Sequence, residues 1–199
     1  MRRFTGKLLI LVAVLCVVAA LAVAQDNPAA AATSSVPGVR GEFLDEVAYY
    51  EQRFTRLADA IPADKFSWRP AEGVRSIGEV YMHVVAGNYG IASALGTPIP
   101  AGIDPKALMA SANDKAKVVQ GLKDSFAHMR EAVLAIKDSD LDKTQKLFNH
   151  QTTIHGAFIM ITGHYGEHLG QSIAYARQVG IVPPWTEERM KQEAAKPKQ

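Results

Sequence analysis

From residue 43 onward the apolar side chains recur in steps of three and four, a spacing that fits one face of an α-helix and no β-strand. Phe43, Val47, Tyr50, Phe54, Leu57 and Ile61 make the first such seam, and Pro62 ends it. A second helix is predicted to open at Ser76-Ile77-Gly78-Glu79, where Ser76 can cap the free amides and Glu79 can reach back in a capping box, and to run to about Leu95. Val119, Leu122, Phe126, Met129, Val133 and Ile136 give the third seam. The fourth helix is expected from about Gln151 to Gln178, with Gly180 placed just past its end and Pro183-Pro184 forbidding continuation. No alternating strand pattern and no internal repeat is visible, so the predicted fold class is all-α, a four-helix bundle. Residues 96–110, GTPIPAGIDPKALMA, hold three prolines and two glycines, and a linker of this kind serves as a long crossover between helices 2 and 3.

Ahead of the bundle, residues 1–24 carry Arg2, Arg3 and Lys7, an apolar run over residues 8–24, and an Ala22-Val23-Ala24 cleavage site. That pattern is a signal peptide, and it predicts an exported protein, periplasmic or secreted. An uncleaved N-terminal membrane anchor is the alternative, because the run approaches the length of a membrane span. Residues 25–38 are small, polar and proline-punctuated, as a flexible linker requires; the bundle is assigned to residues 39–185 and a charged tail to residues 186–199. Cleavage would remove the only cysteine, Cys16, and three of the 22 basic residues, leaving 19 against 20 acidic ones. A nearly neutral chain without cysteine excludes disulfides and thiolate metal ligands, and it gives no electrostatic reason to expect nucleic acid as a partner. After cleavage no membrane association is expected.

The fourth seam departs from the others. It reads Ile154, Ala157, Ile161, His164, His168, Gln171 and Tyr175, so it begins apolar and turns polar halfway. Burying an unpaired imidazole or amide costs roughly 1–3 kcal/mol, so three such groups on an inward face need partners. A divalent metal ion is one: imidazoles at i and i+4 project the same way and can both reach one ion while staying neutral. His83, mid-helix between apolar neighbours and with Gly87 one turn on leaving room beside it, is the best third ligand from elsewhere in the chain. The competing reading is two separately hydrogen-bonded boundary histidines. His128, His150 and His155 are expected at the surface or its boundary.

Taken in order, Trp68-Arg69-Pro70, the Ser76–Glu79 box, His83, His164-x-x-x-His168-x-x-Gln171, Gly180-Ile181 and Pro183-Pro184-Trp185 resemble the DinB-like four-helix metalloprotein superfamily across about residues 40–185. The resemblance implies that His83, His164 and His168 are three metal ligands at one end of the bundle, with an open coordination position. It also implies bundles that often pair, which leaves a homodimer open as a partner without fixing the oligomeric state. Relatives include thiol-dependent transferases and isomerases using mycothiol or bacillithiol, which are cytosolic thiols that an exported chain would not meet.

Three imidazoles with open positions suit zinc, nickel, iron or copper. Such a site can acidify a bound water or ionise an incoming thiol or carboxylate, and the expected function is a metal-dependent hydrolase or transferase of a small-molecule substrate. Gln171 could orient a bound water or substrate, and Glu167 could act as general base or as a partner to an imidazole N–H. Tyr175 and Trp68 are expected to pack. His164-Tyr-Gly-Glu-His168 also matches the H-x-x-E-H pattern of inverted zinc peptidases, but the acidic residues available downstream, Glu187, Glu188 and Glu193, fall in the tail. Two other function classes follow from the same residues: a non-catalytic metal- or ligand-binding bundle, and a bundle with structural histidines.

Overall fold

The computed structural model describes residues 35–196; the signal peptide and most of the linker predicted above lie outside them. Six helices and one hairpin follow in order: α1 (Gly38–Ala60), α2 (Ile77–Ala94), the short α3 (Pro105–Leu108), α4 (Lys115–Ala135), β1 (Thr144–Leu147), β2 (His150–Thr153), α5 (Ile154–Gln178) and α6 (Pro184–Ala194). The four long helices α1, α2, α4 and α5 are the predicted all-α bundle. Around its axis α1 and α2 each pack against both α4 and α5.

Local chemistry sets the helix ends. Ser76 caps α2: its hydroxyl accepts from the Glu79 amide at 3.3 Å while its own amide donates to the Glu79 carboxylate at 2.7 Å. Both halves of the capping box are therefore made. At the end of α5 Gly180 takes φ 82°, its amide donates to the Arg177 carbonyl at 3.1 Å, and the Ile181 amide donates to Ala176 at 2.8 Å. This paired closure satisfies carbonyls the helix would otherwise leave open. The fully buried side chains Phe54, Leu57, Tyr81, Leu122, Phe126, Met129 and Tyr165 form the centre of the core, and Phe43 stacks on Phe158 at 4.2 Å.

The crossover runs the length of α2. The Ala112 carbonyl, three residues before α4, lies so close to Gly78 that a Cβ there would fall 1.7 Å from it. The start of α4 is thus pinned beside the start of α2, and the two helices run parallel. Gly78 is needed for that close backbone approach.

Two details differ from the sequence reading. The stretch before α5 is an antiparallel hairpin, with Thr144 opposite Thr153 and Leu147 opposite His150. Its four-residue strands are exposed or half-buried except at Leu147, so they carry no apolar alternation to betray them, and α5 accordingly begins at Ile154 and not near Gln151. His128 is also deeper than expected, 7% exposed on α4 with its ring 5.4 Å from Tyr89, because α2 closes over that face of α4. Residues 186–194 of the predicted charged tail lie in α6, which is held to α1 by a cation–π contact from Arg53 to the Trp185 ring at 4.4 Å and by an Arg56–Glu188 ion pair. Among the described residues no helix is long and apolar enough to cross a membrane.

Candidate metal centre

α2 and α5 pack together in the half of the bundle where the α5 seam turns polar, and this brings the three predicted histidines to one point. One ligand atom from each of His83, His164 and His168 can be chosen so that all lie within 4.8 Å of one another. The Nε2 atoms of His83 and His164 stand 3.4 Å apart. Two nitrogens sharing one tetrahedral ion at about 2.0–2.1 Å are separated by about 3.3–3.4 Å, so the two imidazoles could share one ion at this spacing, which is also within reach of a hydrogen bond between them. The His168 ring centroid is 4.6 Å from each of the other two.

Gly87 makes the approach possible. A Cβ at that position would meet His164 Cε1 at 3.3 Å, so any larger residue on α2 would push the ring away. His168, 6% exposed, is oriented by Gln171, whose amide oxygen lies 3.0 Å from Nδ1. That carbonyl can only accept, so Nδ1 carries the proton and Nε2 keeps its lone pair for the cluster. The Gln171 amide nitrogen in turn donates to the Tyr175 hydroxyl at 3.1 Å, and Tyr175 packs edge-on against Trp68 at 5.6 Å. Gln171 therefore faces His168 and Tyr175, and Tyr175 and Trp68 pack as expected.

Beneath the histidines lies a polar network with no counterpart in the sequence reading. The Tyr165 hydroxyl, fully buried, donates to Asn88 Oδ1 at 2.7 Å; Asn88 Nδ2 donates to Ser125 Oγ at 3.1 Å; and Ser125 donates to the Leu122 carbonyl at 3.1 Å. It ties α2, α4 and α5 together one residue away from His164 and one residue away from Gly87. Burial pushes the Tyr165 phenol up, so it stays protonated and a donor.

Electrostatically the cluster favours neutral rings. Burial lowers His83 to about 4, and the positive charge of Arg75 and the neighbouring His168 act in the same direction, against Glu167. Burial likewise lowers His164 to about 4, with His168, His83 and Arg75 adding to it. Neutral imidazole is the metal-binding form. The Nδ1 of His164 is buried without a hydrogen-bond partner among the described residues. Glu167 is exposed and touches the site only through its charge.

The remaining candidates lie elsewhere. His150 and His155 are exposed, as anticipated, and His128 is buried away from the cluster. The acidic residues that an inverted peptidase would need are occupied on α6: Glu187 pairs with Lys191, Glu193 with Arg189 and Glu188 with Arg56. The sequence reading missed Phe148, at the hairpin turn, whose ring lies 5.4 Å from that of His164. It also missed Arg75, whose charge bears on two of the three histidines. Asn149 beside Phe148 was the one signal of a turn there, and it was too weak to separate a hairpin from a polar helix end.

The fold and the cluster together define a class: all-α bundles in which inward-turned histidines from two helices form a group that could hold a metal ion. More specifically, the chain belongs to the DinB superfamily, whose sequence profile matches residues 48–172. A crystal structure of a DinB-like protein from Bacillus cereus ATCC 10987 has 22% identity and a TM-score of 0.61, covering 71% of this chain and 93% of that one. A DinB-like protein from Bacillus subtilis has 18% identity and a TM-score of 0.47, covering 71% and 94%. No curated protein matches the sequence.

Proposed function

We propose that the chain is an exported metalloprotein that binds one divalent transition metal ion, zinc, nickel or iron, through His83, His164 and His168 and acts as a hydrolase or transferase on a small molecule. The observation that carries this reading is the 3.4 Å separation of two imidazole nitrogens from different helices, with the third ring within reach of both. The export half rests on the sequence of residues 1–24 alone.

A divalent ion held there supplies Lewis acidity, polarising a carbonyl or ionising a donor that binds beside it. The protein's own part is positional. Gln171 fixes the His168 tautomer, Gly87 keeps α2 clear of His164, and the Tyr165–Asn88–Ser125 network holds the two ligand helices in register. His83 and His164 remain partly open to solvent while His168 is buried, which supports a site that a substrate can enter over a closed structural one. Glu167, at that open side and without an ion pair among the described residues, is available as a general base.

Elemental analysis of purified protein, unaltered and with His83→Ala, tests the metal assignment. The expected result is about one transition metal ion per chain and its loss in the variant. A metal-free protein, or a variant that keeps its metal, would overturn the reading.

A further inference from the structure

Phe148 sits at the turn joining β1 and β2 with φ 49°, and Asn149 follows at φ 65°. Asparagine tolerates the left-handed region; a bulky aromatic does not, and it persists there only where something holds it. Core burial does not hold it, since Phe148 is 46% exposed. Its one ring contact among the described residues is with His164, at 5.4 Å and tilted 41°. A strained backbone thus presents half of an apolar ring to solvent at the edge of the histidine cluster. Arg75 is exposed, forms no ion pair or hydrogen bond among the described residues, and its positive charge bears on His83 and His164.

We propose that Phe148 is a specificity-determining residue: its exposed face is the apolar wall that selects small ligands carrying a planar apolar group next to an anionic donor. The inference rests on the metal reading of His83, His164 and His168 and names the ligand class that site would take. The anionic donor answers the positive charge of the ion and of Arg75. The planar group answers the ring, which offers an offset or edge-on aromatic contact and sheds water when covered. An alkyl ligand with the same donor gains little from the ring.

The test compares acetohydroxamate with benzohydroxamate, which share a donor and differ by a phenyl ring, on the full chain loaded with cobalt(II). Binding is followed by calorimetry and by the visible cobalt bands. The unaltered protein is expected to prefer benzohydroxamate by roughly two- to tenfold more than area burial alone gives, the range of an aromatic pair. Phe148→Gly, which suits the left-handed turn and so keeps the hairpin, should bind cobalt with the same spectrum and lose that extra preference. Phe148→Trp should restore it. If the unaltered protein takes up no cobalt, the metal reading fails and the proposal falls with it. If cobalt binds but no preference exists, or Phe148→Gly retains it or weakens both hydroxamates equally, the metal reading stands and the role of Phe148 is refuted.

Discussion

Replacing Gln171 by Leu separates a metal centre from a chance cluster of histidines. The side chain makes two hydrogen bonds, from His168 Nδ1 to its oxygen at 3.0 Å and from its nitrogen to Tyr175 at 3.1 Å. Each is a neutral, partly buried bond with a net contribution of about 0.5–1.5 kcal/mol, so the metal-free protein should lose roughly 1–3 kcal/mol of stability. The effect on metal should have a different origin. Without the amide oxygen the His168 ring is free to turn and to carry its proton on Nε2, and loss of such an orienting partner lowers affinity about 10- to 100-fold. Gln171→Glu supplies an acceptor of the same reach and should hold affinity at or above that of the unaltered protein. The assay is zinc competition against a chromophoric chelator at pH 7, with urea unfolding of the metal-free forms alongside. If Leu and Gln bind zinc equally while stability falls, the amide supports the fold only and His168 is not a ligand positioned by it.

The metal-free protein should be pH-sensitive in a defined window. His83 and His164 sit at about 4 against an ordinary 6.5, so above 6.5 both folded and unfolded chains carry neutral rings and the pair adds no slope. Between 6.5 and 4 the unfolded chain binds protons that the folded one refuses, and stability falls as pH drops; urea midpoints at pH 7 and 4.5 should show this, and a double His83→Asn, His164→Asn variant should show less of it. Asn88→Ala should leave the buried Tyr165 hydroxyl without its acceptor, at about 1–3 kcal/mol. Adding Tyr165→Phe should then cost much less than it does alone, and a thermodynamic cycle in which the two losses simply add would show that the network is not coupled.

The sequence by itself determined the helices, because the signals that make a helix act within one or two turns. The Phe43 to Ile61 seam, the Ser76–Glu79 box and the Gly180 closure each link residues only a few positions apart, and each stands in the structure as its local chemistry requires. The i, i+4 spacing of His164 and His168 is local in the same sense, so their shared direction was legible too. Only tertiary packing could decide that His83 meets them across 81 residues, since nothing in its own helix reports which face α5 covers. The same holds for the buried Asn88 and His128, which depend on how α2 lies against α4 and α5. It holds as well for Phe148, whose short flanking strands carry no apolar period and are fixed by packing against α2 and α5. Periodicity says that a face is buried; which side chains meet there depends on contacts whose sequence separation leaves no local trace.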